Sequence, residues 1–293
     1  MTLIDVPVPF TSARARRFRI ARARFLRRPV AVAALVVVCL FVLLGAFGPL
    51  ISPYDPNATD FNHIMGHSSW AHPLGTDQLG RDELSRIIVG ARASLVVALA
   101  ATFMSLLIAV PLGIYAGYRG GWVDTTIARM NDVKLAFPGI ILAVGLAAIL
   151  GPSLRNVTLA LGIAGIAHFL RVARGETLAL REQNFVKAAV VSGASSWSIV
   201  FRHILPNMTS TLLVQTAIHI PGVILGEALF SFLGLGVRPP TPSWGVMVSE
   251  GQTYIAMAPR LALYPGAAVT IIALGFNLLG DGLRDALDPR TVR

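Results

Sequence analysis

The sequence predicts an all-α membrane protein with six transmembrane helices, on three observations: apolar residues dominate, charge is scarce, and the apolar residues fall into long runs. Of its 293 residues, 54% are hydrophobic and 14% are charged, against about 25% charged in an ordinary soluble domain. The runs cover residues 30–51, 93–116, 135–150, 157–172, 208–235 and 261–279.

The first run reaches ~33 Å at ~1.5 Å per residue, enough to cross a ~30 Å hydrocarbon core. It is longer than the apolar core of a secretory signal, roughly 7 to 15 residues, and so predicts an uncleaved first span. Cys39, the single cysteine, lies inside it and leaves no partner for an intrachain disulfide. The third run is short, which predicts a helix that begins nearer Asp124 as its N-cap. Asp132 and Lys134 are then expected near the cytoplasmic interface, where a long side chain reaches the headgroups. The fourth run predicts a short or tilted span.

Charge orients the spans. Arg14, Arg16, Arg17, Arg19, Arg22, Arg24, Arg27 and Arg28 crowd against the start of the first run. A basic cluster abutting a span reads as a cytoplasmic topology signal, not as a nucleic-acid patch. With the N-terminus inside, the outer segments hold only Arg81, Arg86, Arg92, Arg155, Arg238 and Arg260 of the 25 basic residues. The positive-inside rule therefore predicts a multi-pass protein of the inner membrane with both termini cytoplasmic. The organisation expected is a basic cytoplasmic tail (1–29), a first transmembrane helix (30–51), an extracytoplasmic segment (52–92), a core domain with five spans (93–285) and a cytoplasmic C-terminus (286–293). Three connections, 52–92 and 237–260 outside and 173–207 inside, are too long for turns and too rich in tryptophan, glycine and apolar residues for disorder; such loops are generally functional.

No catalytic apparatus is recognisable. The phosphate cradle G-x-x-x-x-G-K-[ST] is missing, since the two lysines follow Val133 and Val186. No H-E-x-x-H, G-x-S-x-G or CxxC occurs either, so any ATP hydrolysis must come from another subunit. His63, His67 and His72 invite a metal-site reading, but Gly66 and Pro73 interrupt any helix that would align them, and solvated loop histidines are the expectation. No metal site is expected. His168 and His219, inside spans, are expected to hydrogen-bond across helices.

Glu227 is the acid deepest in an apolar run. An ionisable group at that depth costs ~2.5 kcal/mol or more on insertion scales, so it should face the bundle interior or a wet cavity. Glu227, His219 and Gln215 are the candidates for a translocation path; the structural alternative is that Glu227 simply pairs with His219 or Gln215.

The inner connection is more specific. An Ala-rich short helix carrying Lys187, Ala188 and Ala189 is expected to end at Gly193 with positive φ. A second, capped by Ser195 or Ser196, should expose Trp197, Val200 and Phe201 until Pro206 stops it. Two short helices below the membrane with exposed apolar side chains form a knob that needs a socket; an interfacial helix resting on lipid is the alternative.

This connection resembles the EAA loop of permease subunits of ATP-binding-cassette importers, E-A-A-x-x-x-G followed by nine residues and I-x-L-P. Ala188, Ala189, Gly193, Leu205 and Pro206 match; Lys187 stands where the family has Glu, and His203 where it has Ile. His72-Pro73-Leu74-Gly75-Thr76-Asp77 with Gly80-Arg81-Asp82, the stretch from Ser231 through Pro239-Pro240 to Trp244-Gly245, and Gly280-Asp281-Gly282 through Pro289 look like the second permease of dipeptide, oligopeptide and nickel importers. The resemblance implies the permease fold of such importers, with Lys187, Ala188, Ala189, Gly193, Trp197, Phe201, Arg202, Leu205 and Pro206 in an ATPase-coupling loop. It implies a homologous permease partner, two ATPase subunits that bind ATP and Mg, and an extracytoplasmic solute-binding protein. Asp77, Arg81, Asp82, Trp244 and Glu250 are the candidates to face that binding protein. Peptides are the solute expected; nickel and glutathione belong to similar systems. The competing classes are an ion- or proton-coupled secondary transporter using Glu227, although the two halves show no internal repeat, and an intramembrane enzyme, for which no nucleophile and base stand out.

Overall fold

A computed structural model describes residues 19–287. Arg14, Arg16 and Arg17 of the basic tail, and residues 288–293, lie outside the described residues. After a helical stretch at 19–26, the apolar runs become α1 (Pro29–Ile51), α2 (Glu83–Arg119), α3 (Gly121–Leu135), α4 (Gly139–Leu150), α5 (Leu154–Arg181), the short α6 (Asn184–Val191) and α7 (Ser196–Ile199), α8 (Leu205–Phe232), α9 (Trp244–Thr253) and α10 (Arg260–Leu287). Helices α1, α2, α5, the unit Ser196–Phe232 and α10 are long and apolar enough to cross a membrane, and α3 with α4, bent by 80° at the break between them, makes a sixth when the pair is counted as one span. The only β feature among the described residues is one isolated bridge, Thr76 with Asp82.

Several boundaries differ from the sequence expectation. The third run was expected to be one helix from Asp124 onward, but it breaks at Ala136–Pro138. Pro138 has no amide to continue the ladder and its ring disfavours helical geometry in the residue before it; it serves instead as the N-cap position of α4. The fourth span is not short: Ser153 caps α5 by accepting from the Asn156 amide at 3.1 Å, and the helix runs 28 residues, past the apolar run through Arg174 to Arg181. Helix α2 starts ten residues before its apolar run, because the Asp82 carboxylate caps the Ser85 amide at 2.8 Å. Pro206 does not stop a helix. A π turn over Val200–Ile204, in which the Leu205 amide reaches the Val200 carbonyl, joins α7 to α8. The wide turn falls where the proline ring would otherwise meet the carbonyl four residues back, and Asn207 Nδ2 satisfies the His203 carbonyl at 2.6 Å.

Small residues set the packing. Helices α2 and α5 share the most extensive interface, built on Ala101, Ser105, Ala109, Gly113 and Gly117, a four-residue spacing that keeps one face nearly free of side chains. A Cβ on Gly113 would stand 2.9 Å from the Leu170 carbonyl oxygen, and one on Gly117 2.9 Å from that of Arg174. Ser105 Oγ crosses the interface to the Gly162 carbonyl at 2.6 Å. On the other side α1 packs against α2 and α10 around Phe41, which meets Phe276 edge-on at 6.3 Å.

Candidate functional site

The inner connection folds as a knob. Helix α6 ends in a Schellman motif: the Gly193 amide donates to the Val190 carbonyl at 3.0 Å and the Ala194 amide to that of Ala189 at 3.1 Å, with Gly193 at φ +77°. Ser195 then caps α7 through the Ser198 amide at 3.3 Å. Val186, Ile199, Ile204 and Met208 turn inward to Ile114 of α2 and Ala173 of α5, with Ala189, Ala194, Val200 and Leu205 packed round them. Val200 is thus part of the knob's root and not of its exposed face. That face carries Trp197 at 73% exposure and Phe201 at 54%, stacked with ring centroids 5.4 Å apart and planes 9° from parallel. Val190 and Val191 extend it, and Arg202 is exposed beside it. Lys187 pairs with Glu182 at 3.0 Å, and the hydrogen bond from its ammonium holds the Glu182 carboxyl below the usual carboxylate range.

The outer segments are held by buried charge. Arg81 bonds Asp77 at 2.6 Å and Glu250 at 3.1 Å, and Arg86 bonds the same Glu250 at 3.0 Å, so the start of α2 is tied to α9. Asp82 accepts from Ser85 and also meets His72 Nδ1 at 2.9 Å. Trp244, at 3% exposure, donates from Nε1 to the Ile87 carbonyl at 2.9 Å and packs 5.5 Å from the Phe41 ring. Asp77, Arg81, Asp82 and Trp244, expected to face a partner, are therefore inside the chain, and only Glu250 keeps partial exposure. Each finds its partners within the fold: Arg81 and Asp77 in the ion network, Asp82 on Ser85 and His72, and Trp244 on Ile87 and Phe41. Of the three loop histidines, His63 pairs with Asp60 at 2.7 Å and His72 with Asp82.

Glu227 is fully buried, but neither His219 nor Gln215 is its partner. Ser94 of α2 and Ser231, one turn on in α8, donate to its two carboxylate oxygens at 2.7 Å each. Gln215 instead meets His168 across the α5–α8 contact at 3.1 Å. The His219 ring lies 5.5 Å from that of His168 and 4.9 Å from Phe169, with Nε2 lacking a hydrogen bond.

Between α3 and α8, one face of α5 is left open. Ala164, His168, Arg171, Gly175 and Ala179 recur at three- and four-residue spacing on that face; Ala164 is half-buried and the other four are exposed. Helix α8 borders it through His168–Gln215 and Glu176–Thr211, and α3 through Arg174–Asp124 at 2.7 Å, Asn131 on the Ala167 carbonyl at 3.3 Å, and Lys134. Lys134 does not reach for headgroups: its ammonium donates to the carbonyls of Ile163 and, at 3.3 Å, Ala164. Ile163 lies midway between Arg155 and Arg171, about 12 Å from each along the helix axis, so the ammonium rests against the apolar part of a helix long enough to span. A lysine there costs ~2.5–3.5 kcal/mol on insertion scales, and no acid pairs with it among the described residues. Sequence reasoning missed this border; the signal was a lone lysine beside an apolar run interrupted by proline.

A family model described as binding-protein-dependent transport system inner membrane component matches residues 109–293, and one described as the N-terminal TM domain of oligopeptide transport permease C matches residues 16–69. The chain is 44% identical over 268 residues to the glutathione transport system permease protein GsiD of Pectobacterium atrosepticum, covering 91% of this chain and 89% of that protein. It is 40% identical over 264 residues to the dipeptide transport system permease protein DppC of Alkalihalophilus pseudofirmus, covering 90% and 87%. Among solved structures, the inward-facing MetNI methionine ABC transporter superposes with a TM-score of 0.56 at 16% identity, over 69% of this chain and 96% of that one, a likeness of fold.

Proposed function

The chain belongs to the family of binding-protein-dependent transport system inner membrane components, and from that premise we propose that it forms one half of the path of an ATP-driven importer for peptide-like solutes. The partners proposed are a homologous permease, two ATPase subunits that bind ATP and Mg, and an extracytoplasmic binding protein, with both termini of this chain in the cytoplasm. The observation that carries the reading is the stacked, exposed Trp197–Phe201 pair on a rigidly rooted knob, at the position of the coupling loop in the resembling family. Exposed aromatic pairs of this kind anchor interfaces. The solute class rests on the dipeptide and glutathione relatives, both of whose named solutes are peptides.

Glu227 does not favour a proton-coupled alternative, because its oxygens are taken up by two serines inside the chain. The test is uptake of labelled dipeptide, oligopeptide and glutathione into proteoliposomes holding the complete complex. Uptake that requires ATP and the binding protein supports the proposal; uptake driven by a proton gradient without ATP sinks it.

A further inference from the structure

The open face of α5 carries cationic and neutral polar groups but no acid of its own, save Glu176 at its α8 border. Resting on the importer reading above, we propose that Lys134 contacts the carboxylate of the peptide as it passes along this face. Three observations converge. The ammonium rests against the Ile163 and Ala164 carbonyls, in the apolar part of a helix long enough to span. Those carbonyls already belong to the helical ladder of α5, so they steady the ammonium without neutralising its charge. The side chain is partly exposed along a face lined by the small residues Ala164 and Gly175, with His168 one turn from Ala164 and hydrogen-bonded to Gln215.

A half-buried cation without a counter-ion favours an anion that reaches it, since attraction grows as the surroundings become less polar. A free peptide carries a carboxylate at its C-terminus whatever its side chains, so this contact is indifferent to sequence. Lys134 also stands in the last turn of α3, just before the bend at Ala136–Pro138.

The test compares a dipeptide with its C-terminal amide in proteoliposomes containing the complete complex, with the binding protein's affinity for each measured separately. Wild-type complex is expected to prefer the free acid after that correction, and Lys134→Met to lose roughly tenfold of acid uptake, the size of one charge-assisted hydrogen bond, with the amide changed less than about twofold. Lys134→Arg is expected to retain the preference. Equal loss for acid and amide in Lys134→Met, or an acid preference that survives the substitution, overturns the contact and leaves Lys134 as a tie between α3 and α5. Parallel loss with a weakened permease pair assigns the lysine to a partner's acid and also overturns it. Wild-type vesicles that import no peptide in either form defeat the importer reading itself, an outcome separate from any change in the acid-to-amide ratio.

Discussion

The amide of Ala194 donates to the carbonyl of Ala189 at 3.1 Å, closing the end of α6 over Gly193. Nothing stands within 4 Å of where a Gly193 side chain would begin, so the backbone conformation alone demands glycine there. Gly193→Val, with a β-branched residue in the left-handed region, is expected to cost ~1–3 kcal/mol locally. The chain should still insert, while reconstituted complexes lose ATPase subunits or hydrolyse ATP without uptake. Gly193→Asn, which tolerates this conformation, should keep coupling. Full uptake by Gly193→Val with the ATPase bound would refute a coupling role.

Lys187 offers a separate test of charge. Its pair with Glu182 is exposed and solvent-screened, so Lys187→Met should leave the amount of folded chain unchanged. Lys187→Glu sets two acids side by side on the knob and is expected to lower coupled ATPase activity severalfold, with the loss reduced in high salt. Salt-independent loss would point to packing instead of charge.

Trp244 is expected to act on stability. Trp244→Ala empties a buried site between α1 and α2 and should cost ~3–5 kcal/mol, seen as earlier thermal aggregation of the detergent-solubilised chain. Trp244→Phe loses one hydrogen bond to Ile87 and should cost ~0.5–1.5 kcal/mol. Stimulation by the binding protein, per assembled complex, should be normal in the phenylalanine variant; selective loss of stimulation would return Trp244 to an interface.

For Glu227 the expected order of assembled protein is wild type, then Glu227→Gln, then Glu227→Leu. Glutamine still accepts from one serine, whereas leucine strands the Ser94 and Ser231 hydroxyls, each a loss of ~1–3 kcal/mol. Equal yield and uptake for all three would show that the carboxylate is a passenger.

Orientation is checked by reporter fusions. Those after Arg28, Arg119 and Lys187, and at the C-terminus, should report cytoplasm, and those near His67 and Ser249 the exterior. A cytoplasmic signal at His67 would invert the scheme.

Hydropathy made the spans legible, because length and apolarity are local properties of the chain. The knob was legible too: Gly193 and Ser195 announce a stop and a start within three residues. What escaped was whatever depends on a distant partner. Nothing near Glu227 in sequence names Ser94, and nothing near Trp244 names Ile87, so both looked available to an outside ligand when the fold had already used them. The bend at Pro138 was visible as a proline, but the depth at which it leaves Lys134 depends on how α3 lies along α5. The Val200–Ile204 π turn was invisible for a different reason: proline commonly ends helices, and only the wider turn shows how this one is accommodated.

That turn changes what the knob is. Trp197 belongs to the same continuous helical unit, Ser196–Phe232, as Gln215 and Glu227, with Gln215 about 27 Å further along the axis at ~1.5 Å per residue. A stiff shaft has no slack, so a partner gripping Trp197 and Phe201 holds a handle on the interior of the membrane. Five residues of looser winding lie between that grip and Gln215, and stiffening or softening them would set how much of each stroke arrives.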